Sequence, residues 1–435
     1  MIKAVKRRSP EEFPAHVLKI PGLLGDLYGW IESCAVRPAP VLSLGASLAV
    51  LATVAGRWYE TPTGLRANLY AVGLARSGAG KENGRSCAMT ILRRSGLPDL
   101  CGTDDVASSA GLLRVLHAYP VRLFPLDEIG LMLSSITSHK AGTHERDILT
   151  VLMRLFSSAS TSWNGKAYAE KDAAPIEQPH AVVWGTSTPD RFWGALSGGH
   201  VVDGFLNRLL VLPQDGEIPP ITTPAGSANR PPEHLCAALR RIGSGEAVEQ
   251  AGTIKGVVSA STRTTPYTVP QTQGAAVLLA EAAERQRERQ NVSKCPEAWT
   301  RAWEQTAKLA LLAAISIHPD RPTITEDCVR WAATIAWWSV ARTAQAAEER
   351  VGDTDEQRAA GVILGALRRA KGRLTQRQLT RATQRLDRRH RDAATRTLLD
   401  AGVIGEVHEI SGGQTIKVLE IIAESDSPSP EAVTA

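Results

Sequence analysis

The sequence has 435 residues, of which 43% are hydrophobic and 22% are charged, and its formal net charge is +5. That balance excludes a chain that is disordered throughout, and the length predicts two to four structural units. The longest nearly uncharged apolar stretch, residues 41–55, is shorter than the roughly 20 residues of a membrane span. No signal-peptide core follows the basic N-terminus. We therefore expect a cytoplasmic protein with no membrane partner.

The six cysteines lie far apart in the sequence, with no C-x-x-C pair and no paired histidine spacing. This pattern argues against a structural metal site and against a disulfide framework. Each cysteine is interpreted as a small core side chain.

Positive charge is concentrated near the C-terminus. Residues 366–396 hold eleven basic and two acidic side chains, so this window carries +9 while the rest of the chain carries −4. Segregated charge of this kind indicates a polyanionic partner for one module.

The predicted elements alternate between helix and strand. We expect N-terminal helices over residues 12–60, strands near 68–74, 121–126, 180–185 and 205–212, and helices near 81–94 and 146–157. Residues 213–234 are proline-rich and are interpreted as a linker or an exposed crossing, and residues 271–350 have a helical pattern. Such alternation predicts an α/β fold with a mainly parallel sheet. The expected regions are 1–60 (helical), 61–215 (core), 216–350 (linker and helical lid), 355–422 (nucleic-acid binding) and 423–435 (disordered tail).

A glycine-rich stretch, Ala75–Glu82, lies between a predicted strand and a predicted helix. Backbone N–H groups in such a turn, together with the helix N-terminus, can surround phosphates while Lys81 reaches their oxygens. Ala75 stands where a P-loop has its first glycine, and Glu82 stands where a serine or threonine would bind Mg²⁺. A plain turn before a helix is the alternative. The predicted ATP contacts are Ser77, Gly78, Ala79, Gly80, Lys81, Glu82 and Asn83.

Two further strand ends carry polar side chains. The strand at 121–126 ends in Asp127 and Glu128, which suit a Mg²⁺ partner, held through the nucleotide, and a water-polarising base. Thr186, with Ser187, ends the strand at 180–185 and could sense the terminal phosphate. Ordinary turn residues are the alternative in both cases.

Two cationic candidates follow. Arg208 could reach a neighbouring subunit's nucleotide as an arginine finger, or could be a surface arginine in an ion pair. Lys308 shares a helix face with Arg301 and Glu304 and could reach back to the phosphates, or could belong to a solvated charged face.

The order of these motifs resembles the P-loop ATPases of phages, prophages and plasmids, the YfjI-like or RepA-like primase–helicase group. The resemblance covers residues 12–345 and rests on the motifs above together with Phe13-Pro14 and Asn68-Leu69-Tyr70. It implies an ASCE-type, RecA/AAA+-like NTPase core that uses ATP and Mg²⁺ and forms a homo-oligomeric ring, a hexamer. It further implies that Lys81, Asp127, Glu128 and Arg208 take the catalytic roles.

Two regions are candidates for DNA contact. A predicted Asn164-Gly165 hairpin carries Lys166, Tyr168 and Lys171, which could grip a phosphate backbone and stack a base. Three short helical patterns and a Gly-Gly hairpin over 355–422 follow the order of a winged helix. Its expected DNA contacts are Arg377, Arg381, Arg388, Arg391 and Arg396. A plain surface hairpin and a protein-docking winged helix remain the alternatives.

The sequence thus predicts an ATP-driven ring motor, a replicative helicase of a mobile element acting on single-stranded or forked DNA, with a primase or other replication proteins as partners. An ATP-switched adaptor or helicase loader with weak hydrolysis, or an origin-binding protein, is the alternative.

Overall fold

The structure, a computed structural model, describes residues 12–137, 142–165, 175–196, 204–248, 259–350, 355–384, 386–411 and 414–422. The chain divides into two compact units, the first running to Ala344 and the second beginning at Gln345.

The first unit is a helix-rich α/β assembly. Its helices are α1 (Leu23–Ser33), α2 (Pro40–Ala55), α3 (Lys81–Arg94), α4 (Ser109–Ala118), α5 (Ile129–Thr137), α6 (Thr143–Ser157), α7 (Pro189–Gly194), α8 (Glu233–Gly243), α9 (Gln273–Val292), α10 (Ala302–Ile317) and α11 (Glu326–Arg350), the last of which continues into the second unit. Its strands are β1 (Tyr59–Glu60), β2 (Tyr70–Leu74), β3 (Val121–Phe124), β4 (Ser162–Trp163), β5 (Ile176–Glu177), β6 (His180–Ser187), β7 (Leu209–Pro213) and β8 (Tyr267–Thr268).

A four-stranded parallel sheet forms the centre of this unit. Its order is β3-β6-β2-β7, with Tyr70 opposite both Val183 and Leu209. Every residue of β2 and β6 is buried, as expected for a parallel sheet covered on both faces. The prediction of a parallel α/β sheet is confirmed, and all four carboxyl ends of these strands lie along the same edge.

Helix α2 is apolar around its whole circumference and is buried from Val41 to Ala55. It packs against all four strands of the sheet. A Cβ atom added at Gly45 would lie 2.4 Å from the Trp184 ring, and one added at Gly73 would lie 2.8 Å from it. The two glycines therefore make the space that the buried Trp184 indole fills between α2 and the sheet.

The N-terminal helices belong to the same core as the sheet. Side chains of α1, α2, α10 and α11 form one buried cluster with strands β2, β3, β6 and β7. The edge of the Phe13 ring packs on Trp338 of α11, with ring centroids 5.0 Å apart.

The turn expected at Asn164-Gly165 runs into residues 166–174, which lie outside the described residues. Strand β4 pairs antiparallel with β5, with Trp163 opposite Ile176, so residues 164–175 make the connection. Lys166, Tyr168 and Lys171 lie outside the described residues.

The second unit contains α12 (Asp355–Arg369), β9 (Arg373–Thr375), α13 (Gln376–Ala382), α14 (Arg388–Asp400), β10 (Ile404–Ser411) and β11 (Gln414–Ile421). The strands form an antiparallel sheet in the order β10-β11-β9. A small core that includes Ile363, Leu379, Leu398 and Leu419 joins the helices to this sheet. Three helices and a terminal hairpin were predicted here, and β9 is an additional element.

Candidate functional site

The candidate site lies at the carboxyl edge of the parallel sheet. Strand β2 leads into Ala75–Gly80, here called the glycine loop, and α3 begins at Lys81. Gly78 and Gly80 have φ angles of 78° and 83°, a left-handed conformation that glycine adopts without steric cost. The helix predicted over 81–94 is confirmed.

The glycine loop presents unpaired backbone donors. Among the described residues, five amide groups make no hydrogen bond: those of Ser77, Gly78, Gly80, Lys81 and Glu82. Ser77 and Gly78 are exposed to solvent, whereas the Ala79 amide donates to the Arg76 carbonyl. A cluster of free amides at a helix N-terminus is an environment that favours an anion.

Lys81 and Glu128 meet at this edge. The Lys81 Nζ atom donates to Glu128 Oε1 at 2.9 Å. The other oxygen, Glu128 Oε2, is buried and has no partner among the described residues. Glu128 itself has a φ of 44°, which is uncommon for a side-chain-bearing residue and marks a backbone that its surroundings hold in place.

Asp127 is held by three neighbours. Its Oδ1 atom accepts hydrogen bonds from the Glu128 amide at 2.9 Å and from Thr186 Oγ1 at 3.2 Å. Its Oδ2 atom lies 3.6 Å from an Arg85 guanidinium nitrogen. Thr186 comes from the end of β6, between β3 and β2 in the sheet, so the strand order itself brings the predicted residues together.

Arg85 is a site residue that the sequence analysis missed. Besides Asp127, its guanidinium pairs with Glu82 and lies 3.8 Å from Asp104. A position one helical turn after Lys81 faces the same side of α3, and that spacing was the available signal.

Asn83 does not turn its side chain toward the glycine loop. Its Nδ2 atom donates to the Ile31 carbonyl of α1 at 2.8 Å, and its Oδ1 atom lies 3.6 Å from the Cys87 thiol. The predicted ATP contact of this side chain is therefore corrected to a bond that anchors α3 to α1.

Lys308 does not lie at the glycine loop. Its Nζ atom is fully buried beside the amino end of β2, where it donates to the Asn68 carbonyl and to Asn68 Oδ1, both at 3.0 Å. It also pairs with Glu304 at 3.0 Å and lies 3.6 Å from the Phe156 ring centroid. The length of β2, roughly 15 Å, separates this point from the loop. The prediction that Lys308 reaches the phosphates is wrong for its own chain.

Burial lowers the pKa of the Lys308 ammonium to about 8, against the attraction of Glu304. Glu304 also pairs with Arg301, and the two cations lower the pKa of the Glu304 carboxyl despite burial, which raises it. The charged helix face predicted from spacing is thus a mostly buried network, in which the side chains of Lys308, Glu304 and Arg301 are 1%, 14% and 24% exposed.

Arg208 lies at the same amino edge, immediately before β7. Its Nη1 atom donates to the Gly204 carbonyl at 2.5 Å, and its own carbonyl accepts from Gln305 at 3.0 Å. Burial and the nearby Arg301 lower the pKa of the Arg208 guanidinium. Within one chain Arg208 does not approach the glycine loop, and its role as an arginine finger for a neighbouring subunit stays a prediction.

The residues at the glycine loop fit the phosphates of a nucleoside triphosphate. Five free amides and Lys81 provide donors for phosphate oxygens, and Asp127 provides a carboxylate for Mg²⁺. The Glu82 side chain, paired with Arg85, is the departure from a hydroxyl ligand. No cluster of three or more metal-ligating side chains is found within the described residues.

In the second unit, most of the predicted DNA-contacting arginines are exposed: Arg377, Arg381, Arg388 and Arg396. Arg388 has an 86% exposed side chain and lies 3.6 Å from Asp392. Arg391 is the exception, because its side chain is only 11% exposed. Arg391 is therefore less accessible than the other four arginines, and its contact with DNA stays a prediction.

No described helix is both long enough and apolar enough to cross a membrane. The sequence matches no model of a known protein family. It also matches no curated protein.

Proposed function

We propose that this protein is an ATP-dependent, ring-forming DNA motor of the RecA/AAA+-like class, a replicative helicase of a phage or another mobile element that acts in the cytoplasm. One observation carries the proposal. The glycine loop after β2 and the acid pair, Asp127 and Glu128, after β3 meet across the one intervening strand β6, with Lys81 Nζ 2.9 Å from Glu128 Oε1.

The strand order supports an NTPase of the ASCE type. In such enzymes the strand before the phosphate loop and the strand bearing the acids are separated by one strand, whose tip reaches the phosphates. Thr186 occupies that tip and already contacts Asp127. The order β3-β6-β2-β7 and the positions of the three motifs on it are what the proposal requires.

Each side chain has a task in ATP hydrolysis. The loop amides and Lys81 bind and neutralise the β and γ phosphates, while Glu128 accepts a proton from the attacking water. Asp127 would hold Mg²⁺ through the nucleotide, and the metal supplies neutralisation of phosphate charge when bound. Because Lys81 pairs with Glu128 here, ATP binding must replace that ion pair.

The second unit supports a DNA partner. Its element order, helix-strand-helix-helix followed by a hairpin, is that of a winged helix, and its exposed arginines suit phosphate contacts. A protein-docking role for the same fold would leave these arginines solvated.

Steady-state ATP hydrolysis with and without single-stranded DNA tests the proposal. We expect DNA to stimulate hydrolysis in the wild type, and Lys81→Ala and Glu128→Gln each to abolish it. If neither substitution reduced hydrolysis, the assigned site would be wrong.

Mixing wild-type protein with Arg208→Ala protein tests the ring. A finger shared between subunits predicts that mutant subunits inhibit hydrolysis by more than their share of the mixture. A loss merely proportional to the mutant fraction would contradict a shared site.

A second candidate is an ATP-switched adaptor or helicase loader with weak hydrolysis. The specific observation in its favour is Glu82, whose carboxylate occupies the position of a Mg²⁺-binding hydroxyl and pairs with Arg85. Nucleotide binding without turnover, unaffected by DNA, would favour this candidate, and Glu82→Thr would then be expected to raise turnover.

A further inference from the structure

One guanidinium group of the first unit is buried without an opposite charge. Arg57 lies between α2 and β1 and is 1% exposed. Its Nη1 atom donates to the Ser259 carbonyl at 3.3 Å, and its Nη2 atom donates to the Thr262 carbonyl. Among the described residues, no carboxylate forms an ion pair with Arg57, and its buried Nε atom makes no hydrogen bond.

Arg57 keeps its charge in this environment. Burial, together with the positive charge of Arg66, lowers the pKa of Arg57 only to about 10, so its guanidinium is protonated at neutral pH. The two backbone carbonyls accept its hydrogen bonds but carry no net charge. Because a buried cation without an opposite charge is strongly unfavourable, Arg57 is a position at which an anion would stabilise the fold.

The acids nearest to Arg57 are paired with other arginines. Arg66 donates from Nη1 to the Arg57 carbonyl at 3.0 Å, and its Nη2 atom lies 3.6 Å from Glu60. Arg263 lies 3.4 Å from Glu177. This group therefore has three guanidinium groups and two carboxylates, and one further negative charge would balance it.

A small cavity adjoins Arg57. Its volume is about 20 Å³, and Arg57 is the only charged residue among the described residues that line it. Trp58, Tyr119 and Val121 contribute to its walls. A single water molecule needs at least roughly 10–15 Å³ on the same scale. The space therefore suits one atomic ion and is too small for a phosphate group, which has five non-hydrogen atoms.

We propose that this cavity binds one monovalent atomic anion, a halide such as chloride, which balances the charge of Arg57 and stabilises the fold. The charge of Arg57 favours an anion over water, and the volume favours a single atom over an oxyanion. Val121, at the start of β3, lines the cavity, so the site lies at the amino edge of the sheet. It is separate from the glycine loop and does not depend on a nucleotide.

Urea unfolding of the full chain in two potassium salts of equal ionic strength tests the site. Chloride can enter the cavity, whereas gluconate cannot, and equal ionic strength keeps the general screening of charges the same. An anion that binds only the folded chain lowers the equilibrium constant for unfolding. When chloride exceeds its dissociation constant about tenfold, this constant should be about tenfold smaller than in gluconate. Equal stability of the wild type in the two salts would overturn the site.

Arg57→Met should abolish the difference between chloride and gluconate, because it removes the charge that the anion balances. This expectation concerns the difference between salts and does not depend on the absolute stability of the variant. Arg240→Met is the control, since Arg240 also donates to a backbone carbonyl, that of Ser95, but is half-exposed and lies near Glu233. It should respond to chloride as the wild type does. A chloride effect that persists in Arg57→Met, or one that disappears in Arg240→Met, would assign the effect to the protein surface and overturn the site.

Crystals of the wild-type protein grown with potassium bromide give a second measurement that does not require Arg57→Met to fold. Bromide scatters X-rays anomalously, so its position can be located directly. We expect an anomalous peak in the cavity beside Arg57. Crystals with bromide peaks at other positions but none in this cavity would overturn the site.

Discussion

The two lysines singled out from the sequence have opposite environments. Lys81 forms one ion pair at the edge of the candidate site, whereas Lys308 is fully buried with acceptors from Asn68 and Glu304. A partly exposed charge pair adds less to stability than a fully buried one, and an unpaired buried charge is strongly unfavourable. We therefore expect folding to depend more on Lys308 than on Lys81.

Glu128→Gln should bind ATP more tightly than the wild type while hydrolysing none. The amide keeps the shape of the side chain but removes the negative charge that holds Lys81 and the base that would accept a proton. Titration with ATP, alongside hydrolysis assays, measures both effects. A variant with weakened ATP binding would argue against competition between Glu128 and the phosphates for Lys81.

Lys308→Met should lower the free energy of unfolding by about 3–5 kcal/mol, because it removes the buried cation that the Asn68 oxygens accept from and leaves the mostly buried Glu304 carboxylate with Arg301 alone. Lys81→Met should lower it by less than Lys308→Met does, because the Lys81–Glu128 pair is partly exposed, at 12% and 34%. Urea denaturation monitored by circular dichroism gives both values. Equal effects of the two substitutions would show that burial at 308 is not the deciding factor.

His180 gives the fold a predictable pH dependence. Burial lowers the pKa of its imidazole from 6.5 to about 3, while Nε2 bonds the Ala52 carbonyl. At pH values between about 3 and 6.5, the His180 imidazole therefore binds a proton in the unfolded chain but not in the folded chain. The free energy of unfolding should therefore fall by about 2 kcal/mol from pH 7.5 to pH 5 on account of His180.

His180→Gln is the control, because its amide can still donate to Ala52 but does not titrate. Denaturation of both proteins across this pH range should show the wild type losing more stability than the variant as pH decreases. If the stabilities of the two proteins changed in parallel with pH, His180 would be protonated in the folded chain as readily as in the unfolded chain.

At the scale of elements, periodicity located most of the framework. The helix over Lys81–Arg94 and the strands β2, β3, β6 and β7 follow from local apolar patterns and turn signals. The hydrogen bonds that pair residues 219–226, which follow β7, with residues 33–37, which follow α1, could not be predicted in this way. They join residues far apart in the sequence through irregular backbone, which leaves no periodic signal.

The two arginine-bearing motifs at 204–208 and 301–308 show the same limit. Arg208 was predicted to reach a neighbouring subunit's nucleotide and Lys308 to reach the phosphates, and the two motifs do come together, since Gln305 bonds the Arg208 carbonyl. They meet at the amino edge of the sheet. Strand direction decides which edge a motif lies at, and spacing in the sequence does not reveal that direction. Arg85 was missed because its partners, Asp104 and Asp127, come from later elements.

Gly80→Ala tests the contact between the glycine loop and Arg37. Alanine would be strained at a φ of 83°, and its Cβ would also lie 2.6 Å from the Arg37 carbonyl oxygen. Gly64→Ala is the matched control, because Gly64 has a φ of 80° and no atom within 4 Å of an added Cβ. Both variants should be destabilised, and Gly80→Ala by about 1–3 kcal/mol more. Equal losses in thermal or urea denaturation would contradict the close approach.

For the whole molecule, the uneven charge matters more than its total. A net charge of +5 is modest, but the +9 of residues 366–396 lies in the second unit, much of it on α13 and α14. Binding that depends on released counterions weakens steeply as salt increases. The salt dependence of DNA affinity should therefore report how many arginines of this unit contact phosphates.

Arg377→Ala/Arg381→Ala should reduce the slope of log affinity for DNA against log salt by about 2 in the full chain. Both side chains are exposed on α13. Arg240→Ala/Arg241→Ala, which removes two neighbouring arginines of α8, is the control and should leave the slope unchanged. Fluorescence anisotropy over a salt series measures it, and an equal change in both pairs would indicate a non-specific charge effect.

The space that two glycines leave for the Trp184 indole limits which substitutions related sequences can carry. Gly45 of α2 and Gly73 of β2 both border the indole, which belongs to β6. A relative that keeps tryptophan at this position must keep both glycines, whereas a smaller side chain there would permit alanine at either one. The three positions should therefore covary, and their joint substitution would be an evolutionary signature of the packing beneath the glycine loop.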